Sequence, residues 1–125
     1  MSGLTFDAGA LVGFERAQRR AVSLVARARE RGEHVAVPAG VVGQVWRDGR
    51  KQANLVRLLG SDLCEVVVLD DREARAAGQL CGLRGTTDVI DASVVLCARA
   101  RRHRVATSDP EDMRRLDPKI ELIVI

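Results

Sequence analysis

Short apolar runs of β character alternate with longer stretches of helical spacing along the whole chain. That alternation predicts an α/β domain with a mostly parallel central sheet. Leu4 to Phe6 reads as a first short strand, and Asp7 caps a helix beginning near Gly9. Ala17 to Arg31 continues helically until Gly32 stops it. Val35 to Val37 is a second strand. Pro38 then opens a helix, since a proline's missing N–H costs nothing in the first turn. Gly49 ends that helix, and a shorter one runs from Gln52 to Leu59, closed by Gly60. Glu65 to Leu69 has the densest β-branched character and is expected to be a central strand. Asp70 or Asp71 caps a helix reaching Leu80, and Gly82 to Thr87 reads as a turn. Asp88 to Arg101 is predicted helical, Arg104 to Thr107 a strand and Pro110 to Leu116 a short helix. Ile120 to Val124 closes a sheet of about five strands.

A chain of 125 residues without repeat, linker or low-complexity tract is expected to be a single domain over positions 1–125. Aromatic residues make up only 2% of it, so Ala, Val and Leu must fill the core. Cys64, Cys81 and Cys97 form no CxxC pair and no His/Cys cluster, which argues against zinc and for reduced core thiols. His34 and His103 lie in charged contexts and read as solvated. No charged-then-apolar leader opens the chain, and no apolar run approaches the ~20 residues needed to cross a bilayer. A cytoplasmic protein with no membrane partner is therefore expected. The net charge of +3 is carried almost entirely by Arg. Arg suits bidentate phosphate contacts, but this charge alone decides little about partners.

The placement of the acids changes the picture. Asp7 ends the first strand, and Asp109 lies just beyond the strand Arg104 to Thr107. In a parallel sheet ligands collect at the carboxyl ends of the strands. If those two strands are neighbours, both carboxylates face one crevice. Asp88 and Asp91 stand i, i+3 at a helix start and share a face, and Asp112 stands i+3 from Asp109. Carboxylates gathered from distant segments are hard oxygen donors suited to Mg²⁺ or Mn²⁺. Such ions polarise a phosphoryl oxygen and lower the pKa of a bound water for in-line attack on phosphorus. Each acid also has a plainer reading. Asp7 and Asp109 are good helix starts, and Asp91 and Asp112 gain from the helix dipole as first-turn acids. Thr86 and Thr87 offer caps of their own, so Asp88 is not required as one. Joint placement at one edge of the sheet sets the acids apart.

The motifs that contain these acids resemble the PIN domain, and particularly the VapC toxins of bacterial toxin–antitoxin pairs. The resemblance runs through the opening strand, Asp7 and Ala8-Gly9-Ala10-Leu11, then Val37-Pro38-Ala39-Gly40-Val41-Val42-Gly43-Gln44-Val45-Trp46-Arg47. It continues through Thr87-Asp88-Val89-Ile90-Asp91-Ala92 and Val105-Ala106-Thr107-Ser108-Asp109-Pro110-Glu111-Asp112. It implies a three-layer α/β/α fold and a Mg²⁺- or Mn²⁺-dependent endoribonuclease that cuts single-stranded or loop RNA, often a tRNA or rRNA. It also implies a homodimer, and a cognate antitoxin that inserts a segment near the cleft. By position, Asp7 matches the first metal-binding acid, Asp88 the third, and Asp109 or Asp112 the fourth, with Asp91 as an extra ligand. Thr107 matches a hydroxyl that lines the site. The departure is Gln44, where the family usually has Glu. Gln keeps the shape and offers a carbonyl oxygen, but removes one negative charge beside a dication.

Candidate RNA contacts are Arg47, Arg50 and Lys51 after the Gln44 helix and Arg84 before Asp88. Arg99, Arg101, Arg102 and Arg104 form a second cluster, further from the acids. A few of these would supply sequence-independent affinity for phosphates, although any one of them also fits an ordinary solvated basic face. Phe6 and Phe14 are expected to be buried, leaving little aromatic surface for base stacking, so RNA shape is expected to choose the target. Leu11, Val12, Phe14, Val22, Leu24 and Val25 exceed one core-facing stripe and suit an antitoxin or second subunit. Trp46, if exposed, is a further interface anchor.

Two other readings compete with the nuclease. One is a catalytically weak or inactive PIN-like protein that binds RNA or antitoxin, motivated by Gln44. The other is a phosphatase or receiver domain with its strand-end Asp. The lack of a second acid two residues after Asp7, and of a Lys at a late strand end, argues against that one.

Overall fold

The computed structural model describes residues 3–125. Five strands form one all-parallel sheet: β1 (Gly3–Phe6), β2 (His34–Pro38), β3 (Cys64–Val67), β4 (Arg104–Thr107) and β5 (Leu122–Val124), in the order β3-β2-β1-β4-β5. The described residues also form seven helices: α1 (Ala8–Glu15), α2 (Arg19–Arg31), α3 (Ala39–Val45), α4 (Ala53–Leu59), α5 (Asp71–Arg84), α6 (Val89–Arg101) and α7 (Pro110–Leu116). Parallel strands need crossovers, and these helices supply them on both faces, so β1 is buried throughout. α1 packs with α2 and α4, while α5, α6 and α7 pack with one another. α3 touches both α1 and α6, bridging the two helical layers. The result is a three-layer α/β/α arrangement, with about five strands as expected and all of them parallel.

The core is aliphatic. Phe6, Leu4, Leu11, Val35, Val37, Val41, Val94, Val95 and Val105 are its fully buried members, with Leu55, Leu116 and Met113 sealing the ends. α6 is the most deeply embedded helix, burying Ala92, Val94, Val95, Cys97 and Ala98. Small residues let it lie close to β1, β2 and β4. Cys64, Cys81 and Cys97 are free thiols, the last two buried, and burial raises the pKa of all three.

Several expectations need correction. The helix read from Ala17 to Arg31 begins at Arg19, because the chain turns at Ala17 with φ 57°. That left-handed conformation costs a non-glycine residue about 1 kcal/mol. β3 is an edge strand, not a central one, pairing only with β2. Its Val66 is 41% exposed, so β-branching here reports a pleated, half-covered surface. Pro38 ends β2 and precedes α3, which stops at Val45, four residues before Gly49. Gly82 to Arg84, read as turn, belongs to α5, and Gly85 is the left-handed cap that ends it. The final strand is shorter than expected and begins at Leu122. His103 is half-buried, with Nδ1 3.1 Å from Thr5 Oγ1, and burial lowers its pKa. Phe14 is half-buried rather than buried.

Candidate active site

β1 and β4 are adjacent and parallel, with Phe6 opposite Ala106. Their carboxyl ends therefore deliver Asp7 and the Thr107–Asp109 segment to the same place. Asp7 is 3% exposed. It caps α1, its Oδ1 accepting from the Ala10 N–H at 2.8 Å. Its Oδ2 accepts from the buried Thr107 hydroxyl, whose oxygen in turn accepts the Asp109 N–H at 2.8 Å. A chain of hydrogen bonds thus runs from the start of α7 through Thr107 to Asp7. The cap reading and the site reading of Asp7 are both true, each using one carboxylate oxygen.

Asp88 is the cap of α6 after all, its Oδ1 accepting from the Asp91 N–H at 2.9 Å. Thr86 does not take that role; its hydroxyl accepts from the Asp88 N–H. Asp91 lies in the first turn and is half-buried. Asp109 starts α7 without a side-chain cap bond, and Asp112 is exposed in its first turn. Thr86, Asp88, Asp91, Asp112, Arg115 and Leu116 line a small cavity of about 170 Å³ between α6 and α7.

Electrostatics tie these groups together. Burial raises the Asp7 carboxyl above its ordinary value, against the hydrogen bonds from Thr107 and Ala10, and the charges of Asp109 and Asp112 raise it further. Burial and then the charges of Asp88, Asp7 and Asp112 push Asp91 up to about 7. Asp112 acts on both Asp7 and Asp91, so it faces the middle of the group, while Asp109 acts on Asp7. Among the described residues, none of these five acids forms an ion pair. The arrangement concentrates acidic groups, and Arg115 stands beside them without an ion pair to any of the five among the described residues.

Among the described residues, no three His, Cys, Asp or Glu side chains lie close enough together to hold a metal ion as they stand. Mg²⁺ needs no closed cage, since it keeps several waters and takes one or two carboxylates with substrate phosphates. An all-oxygen donor set without ion pairs fits such an ion. Gln44 is exposed on α3, four residues after Gly40, which abuts the Ile90 side chain beside Asp91. Positions four apart share a helix face, so Gln44 lies on the face of α3 turned towards the start of α6.

The cationic candidates divide. Arg84 Nε donates to the Arg115 carbonyl at 2.9 Å, tying α5 to α7 near the acids. Arg47 donates to the Gly43 and Trp46 carbonyls, Arg50 pairs with Asp48 at 3.3 Å, and Lys51 is exposed. These three follow α3 and lie outside the acidic cavity. The second cluster is largely occupied: Arg99 pairs with Asp117, Arg101 with Glu65 and Arg104 with Glu33.

Two site residues were not anticipated from sequence. Arg115 lines the acidic cavity, and its only signal was the i+3 spacing from Asp112. Ser108 packs its hydroxyl so close to Gly9 that a Cβ there would meet Oγ and lie 3.7 Å from Asp7 Oδ1. Gly9 thus leaves room for the Ser108 side chain beside the start of α1.

No protein-family model matches the chain, and no curated protein matches it. Its fold is similar to solved structures. One is a chain of VapBC2 from Rickettsia felis bound to a DNA fragment from its promoter, with TM-score 0.72 and 14% identity, covering 100% of this chain and 99% of that one. A chain of FitAB bound to an IR36 DNA fragment has TM-score 0.65 and 13% identity, covering 97% and 94%. A chain of FitAcB from Neisseria gonorrhoeae has TM-score 0.63 and 16% identity, covering 96% of each. The likeness spans the whole domain and establishes the α/β fold. Among the described residues, no helix is long and apolar enough to cross a membrane.

Proposed function

We propose that this protein is a Mg²⁺- or Mn²⁺-dependent endoribonuclease and the toxin of a toxin–antitoxin pair. The observation that carries the reading is the mutual influence of the Asp7, Asp88, Asp91, Asp109 and Asp112 charges at the carboxyl edge of the sheet, where none of the five forms an ion pair among the described residues. The fold shared with chains of VapBC2 and FitAB supports the toxin role and a cognate antitoxin as partner. A homodimer and a tRNA or rRNA substrate remain part of the same proposal, as does a cytoplasmic location.

Asp7 and Asp88, with Asp109 or Asp112 and with Asp91 as an extra ligand, are the residues that would hold the ion. When bound, the ion supplies charge stabilisation at a phosphoryl oxygen and a water of lowered pKa. Asp7 is kept in one rotamer by the Ala10 N–H and the Thr107 hydroxyl, so its free lone pairs keep a fixed direction. The raised pKa values of Asp7 and Asp91 mark carboxyls whose charge the fold leaves unpaid until a cation arrives. Arg115 and Arg84 stand at the rim, where they would draw in the phosphate backbone.

Purified, antitoxin-free protein incubated with structured RNA and Mg²⁺ or Mn²⁺ should cut it, and Asp7→Asn or Asp88→Asn protein should not. Equal cleavage by wild type and variants removes the reading. The second reading, a binding protein that no longer cuts, is favoured by Gln44. It predicts RNA or antitoxin binding with no metal-dependent cleavage.

A further inference from the structure

We propose that Trp46 is a stacking platform for an unpaired base of the RNA substrate, held in place by a backbone clasp that Gln52 builds around it. The inference rests on the ribonuclease reading of the site and gives that reading a binding subsite. Trp46 is the sole tryptophan of a chain with no tyrosine and two phenylalanines. Phe6 is fully buried and Phe14 is half-buried, whereas Trp46 is 41% exposed. Among the described Trp and Phe side chains, Trp46 alone is exposed.

The exposed ring stands on an ordered turn. Gln52 Oε1 accepts from the Arg47 N–H at 2.8 Å and the Asp48 N–H at 3.1 Å, and its Nε2 donates to the Val45 carbonyl at 3.0 Å. One side chain thus ties the backbone on both sides of Trp46. Asp48 Oδ1 adds a tie to the Arg50 N–H at 3.0 Å. A Cβ on Gly49 would lie 2.8 Å from the ring's Cζ2, so the turn folds closely against the indole and a larger residue there would have to displace the ring. A platform ordered before binding loses little conformational entropy when a base lands on it.

Charge selects a polyanion over an apolar protein segment. Between positions 46 and 51, Arg47, Arg50 and Lys51 face solvent, with Asp48 the lone acid. Phosphates flanking a stacked base would meet these cations. α3 starts where β2 ends, and its seven residues span about 10 Å.

The test uses intrinsic fluorescence, which in this chain reports on Trp46 alone. Full-length protein is titrated in chelator with a single-stranded RNA of about twelve nucleotides. Binding is followed separately by polarisation of labelled RNA. Quenching should saturate at the concentration where polarisation saturates, and the same sequence as a duplex should quench far less. Trp46→Ala should weaken single-strand binding about tenfold, with Trp46→Phe recovering part of the loss. Gln52→Ala, checked as folded by circular dichroism, should lose most of the quenching while keeping the salt dependence of binding. RNA binding without quenching overturns the platform and leaves the nuclease reading standing. Absence of both RNA binding and metal-dependent cleavage removes the nuclease reading itself. A fluorescence change with an antitoxin peptide but none with RNA assigns Trp46 to a protein partner and also overturns the proposal.

Discussion

Asp91 offers a stringent test of the electrostatics at the sheet edge. Its carboxyl is carried from 3.8 to about 7, first by burial and then by the charges of Asp88, Asp7 and Asp112. Between about pH 4 and about pH 7 the folded chain therefore holds a proton that the unfolded chain has released. Stability falls as pH rises through that window, the reverse of an ion-paired carboxylate. Unscreened, a displacement of this size corresponds to about 4 kcal/mol, at about 1.4 kcal/mol per pH unit. Asp91 is partly open to water, and screening reduces the figure to about 1–2 kcal/mol. Asp91→Asn removes the titration and keeps the shape. Thermal unfolding of both proteins in chelator, from about pH 4.5 to about pH 8, reads the difference. Wild type should lose about 1–2 kcal/mol relative to the variant across the window, or about 4–8 °C in Tm. Millimolar Mg²⁺ at the alkaline end should return that loss to wild type and change the variant little. Melting curves that stay parallel over the whole range would refute the crowding of charge at this edge.

Gln44→Glu should raise Mg²⁺ affinity and RNA cleavage about tenfold, since it adds a charge beside the proposed dication. Titration calorimetry and a cleavage assay check it, and an unchanged variant means Gln44 does not limit the site. Thr107→Val leaves Asp7 Oδ2 without its donor and the Asp109 N–H without its acceptor. It should cost about 1–3 kcal/mol in denaturant unfolding and depress cleavage strongly. Gly9→Ala places a methyl against the Ser108 hydroxyl and should cost about 1–3 kcal/mol. Adding Ser108→Gly should recover much of that loss, and a double variant no better than Gly9→Ala alone contradicts the contact.

How much of this was legible in the sequence depended on whether the signal was local. Strand ends with an acid, such as Phe6-Asp7, are written in consecutive residues, and the sheet places them as expected. The break at Ala17 is not written locally, because no Gly or Pro stands there. Tertiary packing of α1 against α2 decides it instead. β3 misleads for a related reason, since its valines record strand propensity while its edge position depends on which strands pair. Asp88 as cap of α6 was one choice among three neighbouring residues that only coordinates resolve. Ser108 escaped notice because its role lies in a contact with Gly9, ninety-nine positions away in the chain. Arg115 required the juxtaposition of α6 and α7.

Diffraction from Mn²⁺-soaked crystals, read by the metal's anomalous signal, addresses the shared-ion claim most directly. The account predicts a Mn²⁺ bonded to Asp7 and to at least one of Asp88, Asp91, Asp109 and Asp112, at the carboxyl edge of β1 and β4. Full Mn²⁺ occupancy elsewhere on the protein, with these carboxylates bare, would contradict it.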